Sequence, residues 1–170
     1  MVILGAGESG VGAAILAAQK GYQVFVSDAG KVAEKYKQEL EEKGLEFEEG
    51  KHSEDKILNG NEVMKSPGIP EKSAIVQRIR TKGIPVISEI ELAYRYKGES
   101  RIVGITGSNG KTTTTSLIWH MGKQAGLDCA LVGNIGISFA RQVAEDPKFW
   151  YITEISSFQL DDIKTFRPDI

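Results

Sequence analysis

The sequence contains little cysteine and no block of basic residues. Its single cysteine, Cys129, excludes an internal disulfide, fits a reducing compartment and lies in an apolar run that predicts a buried thiol. The 21 basic and 23 acidic residues are mixed along the chain. Nothing in this charge pattern indicates a nucleic-acid or membrane-surface partner.

Long apolar stretches are also absent. No segment reaches the roughly 18 consecutive apolar residues of a membrane-spanning helix. The start, MVILGAGESGVGAAILAA, resembles a signal peptide in its apolar character, but it has no basic region and Glu8 interrupts it. We therefore reject a signal peptide and expect a cytoplasmic protein without membrane insertion.

The residues that are present suit an ordinary globular protein. Hydrophobic residues make up 41% and charged residues 26% of the 170-residue chain, a length that fits one large or two small domains. Strand-like and helix-like segments alternate, which predicts an α/β fold with parallel sheets. The polar segment 97–100 predicts a boundary between a domain at 1–97 and a second at 98–170.

Hydrophobic periodicity and glycine positions predict the individual elements. The predicted strands are 2–4, 22–27, 45–47, 84–87, 101–106, 129–132 and 150–155, and the predicted helices are 11–20, 32–43, 73–82, 89–96, 111–125, 137–145 and 160–166. Residues 62–65 lead into a turn at 66–70, and residues 168–170 look like the start of another strand. The second domain is therefore predicted to be incomplete.

The first glycine-rich loop follows the first strand and opens the first helix. Its sequence, GAGESG at residues 5–10, matches G-x-G-x-x-G, a pattern in which glycines let a diphosphate approach free N–H groups at a helix start. Asp28 ends the second strand, where it can accept hydrogen bonds from a ribose or a base. The pattern predicts a nucleotide ligand, although glycines needed only for tight packing would give the same sequence. NAD and another nucleotide diphosphate both remain compatible.

A second glycine-rich loop, ITGSNGKTTTT at residues 105–115, is one residue shorter than the usual G-x-x-x-x-G-K-[ST] loop. It still supplies backbone N–H groups, flexible glycines, a lysine and hydroxyls. Lys111 can contact the terminal phosphates of a nucleotide, and Thr112 can bind Mg²⁺. The predicted phosphate-binding residues are Thr106, Gly107, Ser108, Asn109, Gly110, Lys111, Thr112 and Thr113. Two such loops do not suit a simple dehydrogenase, although an ordinary glycine turn is the alternative for the second.

A carboxylate stands in an otherwise apolar strand. Glu154 lies near the end of WYITEI, residues 150–155, where a carboxylate close to a phosphate loop can be the second oxygen ligand of magnesium. A glutamate at the surface end of a strand is the alternative interpretation.

Three segments together carry a family resemblance. TGSNGKTT at 106–113, GNIG at 133–136 and EISSFQL at 154–160 resemble the Mur ligases, the amino-acid ligases of peptidoglycan synthesis. GAGESG, EISSFQL and SPGI at 66–69 are similar to the branch of that family that adds D-glutamate. The resemblance covers essentially the whole chain, and the short lysine loop is the family's own form of the phosphate loop.

The resemblance implies a Rossmann-like, parallel-sheet UDP-binding domain at 1–97, followed by part of a P-loop-type α/β ATPase domain at 98–170. It implies that ATP and Mg²⁺ activate the carboxylate of UDP-MurNAc-L-alanine as an acyl phosphate, which the amine of D-glutamate then attacks. Lys111 and Glu154 would be catalytic, and Thr112 and Glu154 would hold the metal. The implied substrate-binding residues are Gly5, Gly7, Glu8 and Ser9 at the diphosphate, Asp28, Ala29 and Ser66 at the uridine, and Asn134, Ser156 and Gln159 at the sugar-peptide end.

The chain departs from the family pattern in one respect. A metal-binding histidine in a D-H-x-D-R motif, a lysine that becomes carbamylated and a third domain are all missing, and we expect His52 and His120 to be plain surface or helix residues. We therefore expect a monomeric fragment that does not ligate on its own. Another Mur ligase, a relative of folylpolyglutamate synthetase, a non-catalytic nucleotide-binding module and a dehydrogenase remain as alternatives, and the first glycine loop and SPGI count against the synthetase relatives.

Overall fold

The computed structural model describes all 170 residues and contains two parallel β-sheets with helices packed around them, which confirms the predicted α/β class. The strands are β1 Val2–Leu4, β2 Phe25–Asp28, β3 Glu46–Glu49, β4 Val63–Lys65, β5 Val86–Ile87, β6 Arg101–Ile105, β7 Cys129–Gly133 and β8 Trp150–Glu154. The helices are α1 Glu8–Gln19, α2 Glu34–Glu42, α3 Glu54–Leu58, α4 Ala74–Thr81, α5 Glu89–Tyr96, α6 Lys111–Gln124, α7 Phe139–Glu145 and α8 Ser157–Leu160.

The first sheet has the strand order β3-β2-β1-β4-β5, and every neighbouring pair is parallel. Strand β1 is central and fully buried, as its uninterrupted apolar sequence requires when helices cover both faces of a parallel sheet. The order reverses direction between β1 and β4. Ligands of such sheets bind at the carboxyl ends of the strands beside this reversal, where the first glycine loop begins.

The second sheet has the order β6-β8-β7, again all parallel. Beyond β8 the chain returns along β6, where the Asp169 N–H donates to the carbonyl oxygen of Ile102 at 2.9 Å and the Gly104 N–H donates to that of Ile170 at 2.9 Å. Residues 168–170 therefore lie beside β6 with hydrogen bonds typical of a strand pair.

Helix α7 belongs to the second sheet's half of the chain but packs against α1 and α5 of the first. Gly12 permits this close approach, since a Cβ atom there would lie 2.0 Å from Ser138 Oγ and 2.9 Å from Arg141 Cβ. One continuous apolar core consequently reaches from β1 through α1 to Phe139 and Tyr151. The two halves are joined by packed side chains as well as by the connecting segment.

The predicted helix at 160–166 is wrong. Helix α8 ends at Leu160, and the N–H groups of Lys164, Thr165 and Phe166 all donate to Oε2 of Glu91 at 2.8–2.9 Å. In a helix over 160–166 these N–H groups would donate to carbonyl oxygens four residues earlier, so their bonds to Glu91 replace the helical ones. Burial tends to raise the pKa of Glu91, but these bonds and that from the Thr165 hydroxyl outweigh it and lower the pKa to about 2.

Smaller differences from the expected local structure are one additional helix and one additional strand. Helix α3 was not predicted because only Ile57 of its five residues is buried, so it shows no helical apolar period. Residues 63–65, expected to lead into a turn, form strand β4.

Cys129 is buried as predicted, and burial raises the pKa of its thiol. No helix combines the length and the apolar character needed to cross a membrane.

Candidate functional site

Glu154 occupies the carboxyl end of the central strand of the second sheet. The register pairs it with Ile105, the last residue of β6, and with Gly133, the last residue of β7. The lysine loop follows Ile105, and Asn134 follows Gly133. Because parallel strands end at the same edge of a sheet, both segments arrive beside the Glu154 side chain.

The Glu154 carboxylate is only 1% exposed and holds two of the predicted site residues. Thr112 Oγ1 donates to its Oε2 at 2.7 Å, and Asn134 Nδ2 donates to its Oε1 at 2.8 Å. The two residues predicted to hold magnesium are therefore in direct contact. Asn134, predicted from another segment, joins them.

The lysine loop crosses from β6 to α6 as an exposed turn, and Thr113 behind it is also exposed. Gly110 caps helix α6 with a φ of 76°, a left-handed conformation that glycine adopts without strain. The Lys111 ammonium donates to the carbonyl oxygen of Gly107 at 2.5 Å, so the side chain folds back over the loop. The ammonium group and the free N–H groups at the start of a 14-residue helix lie together, an arrangement that suits an anion.

Ser156 and Gln159 form the start of helix α8. Gln159 Oε1 accepts from the Ser156 N–H at 2.9 Å and from the Ser156 hydroxyl at 3.1 Å, within a capping box. Gln159 is buried and Ser156 is partly exposed. Of the two predicted substrate residues, Ser156 faces accessible space and Gln159 orients it.

The first glycine loop connects β1 to α1 at the carboxyl edge of the first sheet. Gly5 has a φ of +91°, and a Cβ atom there would lie 2.7 Å from Ser66 Oγ, so glycine is needed for both conformation and space. Gly7 caps α1, which places Glu8 and Ser9 in its first turn, where backbone N–H groups have no partners within the helix. The loop, the helix start and Ser66 therefore adjoin one another.

Asp28 supports this loop through its side chain. Its Oδ2 accepts from the Ala6 N–H at 2.7 Å, and its Oδ1 accepts from the Gly30 N–H at 2.8 Å. Each carboxylate oxygen can accept a further hydrogen bond, so a ligand contact remains open to Asp28. The neighbouring Ala29 is exposed.

The Glu8 side chain points to the second sheet's half of the chain instead of to the loop. Its Oε1 accepts from Arg141 Nε at 2.8 Å and from the Ser138 N–H at 3.1 Å, and Arg141 also pairs with Glu39. Burial tends to raise the pKa of Glu8, but the Arg141 contact outweighs it and lowers the pKa. The Glu8 side chain is thus engaged elsewhere, and its backbone N–H is the group that remains at the helix start.

Two cavities lie on either side of the segment 68–70. The smaller, of about 400 Å³, is lined by Gly5, Asp28 and Ala29, and the larger, of about 850 Å³, reaches Asn134 and Ser156. Near their shared wall, the Ser66 hydroxyl is buried without a hydrogen-bond partner. A further cavity of about 610 Å³ lies among residues such as Met1 and Gly21 at the opposite edge of the first sheet, away from the strand ends where ligands bind.

The groups around Glu154 fit a magnesium–nucleotide complex. Hydroxyl and carboxylate oxygens are ligands that magnesium accepts, and the Lys111 ammonium with the helix start suits phosphate. No three His, Cys, Asp or Glu side chains converge as a metal site. Thr112 and Glu154 would therefore be joined by water and phosphate oxygens, as is usual for magnesium at phosphates.

Sequence reasoning missed three residues near these cavities. His52, expected to be a plain surface residue, is partly buried, lines the smaller cavity and bonds to Ser27, so that expectation is wrong, whereas His120 is exposed as expected. Lys65 and Asp162 form a buried pair at 3.2 Å behind the segment 68–70. A lysine ending an apolar strand was a visible signal, but its partner is 97 positions away and could not be identified from pattern alone.

Comparison with protein families finds a matching family model for each half of the chain. The model described as "Mur ligase MurD-like, N-terminal domain" matches residues 1–88, and the model described as "Mur ligase middle domain" matches residues 105–170. The second match contains the lysine loop, Asn134 and Glu154.

Curated relatives agree with these matches. The UDP-N-acetylmuramoylalanine–D-glutamate ligase of Bacteroides fragilis is 55% identical over the whole chain, and that of Christiangramia forsetii is 51% identical. The chain spans 38% of the length of each of these relatives. Among solved structures, a ligase from Neisseria meningitidis that acts on UDP-N-acetylmuramate has the same fold, with a TM-score of 0.58, 23% identity, and coverage of 90% of this chain and 51% of that one.

Proposed function

Because the chain belongs to the Mur ligase family, as the match of its first 88 residues shows, we propose that it is part of an ATP-dependent ligase that adds D-glutamate to UDP-N-acetylmuramoyl-L-alanine in peptidoglycan synthesis. The observation that carries this proposal is the convergence of Thr112 and Asn134 on the buried Glu154 carboxylate, beside Lys111. The names of the curated relatives supply the substrates.

We propose that the substrate lies along the two cavities. The nucleoside occupies the smaller cavity beside Asp28 and Ala29, and the unpartnered Ser66 hydroxyl contacts the uridine end. The diphosphate meets the backbone of Gly5, Gly7, Glu8 and Ser9 at the start of α1, where a helix N-terminus favours anions. The sugar-peptide end lies in the larger cavity beside Asn134 and Ser156, and Gln159 positions Ser156. The carboxylate of the substrate then points towards Glu154.

The nucleoside triphosphate, ATP, binds at the lysine loop, residues 106–113. Lys111 neutralises its terminal phosphates, while Thr112 and Glu154 would hold a magnesium ion, which would supply further positive charge there. In the reaction, a carboxylate oxygen of the substrate bonds to the γ-phosphorus and ADP leaves. The amine of D-glutamate then attacks the acyl carbon and loses a proton, and inorganic phosphate departs. Lys111 contributes by position and charge, which are the main sources of catalysis in phosphoryl transfer.

The chain spans 38% of the length of its curated relatives, and we propose that the whole reaction also uses parts of the protein outside this chain. We propose a division into a nucleotide-substrate domain at 1–97 and the first part of an ATP-binding domain at 98–170. We further propose that the protein acts as a monomer in the cytoplasm, a location that fits its lone reduced thiol.

Replacing the lysine of the phosphate loop tests this assignment. Lys111→Ala is expected to weaken binding of Mg·ATP about 10- to 100-fold, because hydrogen bonds from a charged donor contribute roughly 1.5–3 kcal/mol each. The measurement is calorimetric titration of this chain and its variant with a non-hydrolysable ATP analogue and magnesium.

Lys123 provides the matched control, since it is an exposed lysine in the last turn of the same helix. Lys123→Ala should leave the affinity unchanged within about twofold, as expected of a surface substitution. Equal affinities for the unchanged chain and Lys111→Ala would contradict the role of the loop, and so would a failure of the unchanged chain to bind the analogue.

A further inference from the structure

A chain of hydrogen bonds ends at the wall of the smaller cavity. The hydroxyl of the fully buried Ser27 lies 2.7 Å from Oε1 of Glu48 and 2.7 Å from Nδ1 of His52. Glu48 in turn accepts from the Ser53 N–H at 2.7 Å and from the Ser53 hydroxyl at 2.5 Å. These bonds fix the orientation of the imidazole ring.

Counting the available protons then shows which ring nitrogen of His52 donates and which accepts a hydrogen bond. A serine hydroxyl has one proton, and an ionised carboxylate can only accept. Burial tends to raise the pKa of Glu48, but the bonds from Ser53 and Ser27 outweigh it and lower the pKa, so Glu48 is ionised at neutral pH. Ser27 therefore donates to Glu48, since the other acceptor within reach, the Lys51 carbonyl oxygen, is 3.5 Å away. His52 Nδ1 must carry a proton and donate to Ser27, which leaves Nε2 of the neutral ring as an acceptor.

His52 lines the smaller cavity together with Gly5, Asp28 and Ala29. Its Nε2 makes no hydrogen bond within the chain, whereas each oxygen of the Asp28 carboxylate already accepts one from the backbone. The wall of the cavity thus contains an imidazole whose orientation is held by Ser27 and whose Nε2 has no partner in the protein.

We propose that His52 is a specificity-determining residue of the nucleoside site, where its Nε2 accepts the imide N–H of a uracil-type base. Ser27 and Glu48 are its positioning residues. The inference rests on the proposed nucleotide function of the first half of the chain and adds a base-reading group to it. A cytosine presents a lone pair in place of the imide N–H, so two acceptors would face each other and binding would weaken.

The test is calorimetric titration of this chain with UDP, CDP and 2′-deoxy-UDP at about pH 8, above the range in which histidine side chains usually titrate. His52→Asn keeps an amide donor close to Ser27 but removes the acceptor at the position of Nε2. We expect it to weaken UDP binding about 3- to 10-fold, the usual effect of one neutral hydrogen bond, and to leave CDP binding unchanged. The preference for UDP over CDP falls by the same factor.

Two further variants separate base reading from a general effect on folding. His52→Gln places an amide oxygen near the position of Nε2 and should retain most of the preference for UDP. Ser27 is expected to touch no ligand, but Ser27→Ala removes the hydrogen-bond partner of Nδ1. The proton of the ring can then lie on either nitrogen, so the preference for UDP over CDP should decrease.

Each remaining outcome overturns the proposal at an identifiable level. If His52→Asn weakens the binding of UDP and of CDP equally, His52 only packs in the cavity wall. A loss for UDP but not for 2′-deoxy-UDP would assign Nε2 to a ribose hydroxyl instead of the base. If His52→Asn binds UDP with unchanged affinity, His52 is not part of the nucleoside site, and the proposed nucleotide function still stands. A failure of the unchanged chain to bind any uridine nucleotide would overturn the nucleotide function itself.

Discussion

Replacing Asp162 by alanine is expected to lower the free energy of unfolding by about 3–5 kcal/mol, the usual cost of removing one partner from a buried ion pair. The Asp162 side chain is 3% exposed and that of its partner Lys65 is 5% exposed, with Nζ and Oδ2 at 3.2 Å. Without Asp162, the nearest carboxylate to the buried ammonium is that of Glu71, at 3.9 Å. Chemical unfolding followed by circular dichroism measures the loss.

The reason for so large an effect is that Asp162 connects two parts of the chain. Its Oδ1 also accepts from Arg80, and its backbone carbonyl oxygen accepts from the Ser88 N–H at 3.0 Å. Burial tends to raise the pKa of Asp162, but the Arg80 and Lys65 contacts outweigh it and lower the pKa. Lys65 immediately precedes Ser66, so the pair also holds the wall between the two cavities.

Two variants make this prediction specific. Asp161→Ala removes the adjacent, exposed carboxylate and should change the stability by less than about 0.5 kcal/mol. The double variant Lys65→Met with Asp162→Leu replaces the buried pair by apolar groups and should recover most of the lost stability, because such replacements are often neutral. Equal stabilities for Asp162→Ala and Asp161→Ala would contradict the buried-pair argument.

The sequence was sufficient to predict the class of fold and the proximity of Thr112 to Glu154. Alternating apolar segments and glycine stops located most elements, because both signals are local. The proximity of Thr112 and Glu154 also followed from local information, since Glu154 ends a parallel strand and Thr112 lies at the start of the helix that follows another. The strand register then brings Ile105 and Gly133 to either side of Glu154.

The contacts that failed to follow from the sequence are long-range polar ones. The family resemblance predicts Glu8 at the diphosphate, but nothing local in the sequence shows that its carboxylate pairs with Arg141, 133 positions away. The helix expected at 160–166 is prevented by Glu91, a residue more than 70 positions earlier. Propensity within a window cannot detect such partners, because Glu8 meets Arg141 only when α1 packs against α7, and Glu91 meets residues 164–166 only when the chain folds back onto α5.

Helix α5 contains a second buried glutamate whose behaviour is opposite to that of Glu91. Glu89 is 2% exposed; one of its oxygens accepts from the Ala140 N–H, and the other, Oε2, is buried without a partner. Burial is the largest cause that raises its pKa, to about 7, and the negative charge of Glu8 raises it further against the effect of the Ala140 bond. The two glutamates differ because Glu91 meets several donors, whereas Glu89 meets few and faces another carboxylate.

We therefore expect Glu89→Gln to become more stable than the unchanged chain as pH rises. A carboxyl group whose pKa is raised on folding stabilises the fold fully below its unfolded pKa, and this contribution is lost as pH rises through the folded value of about 7. A shift of this size corresponds to about 3 kcal/mol, so the difference between variant and unchanged chain should grow by up to that amount between about pH 5 and pH 8.5. Guanidinium unfolding across that range measures it, with Glu99→Gln as the control at an exposed glutamate. A difference that stays constant with pH would show that Glu89 ionises as easily in the folded chain as in the unfolded one.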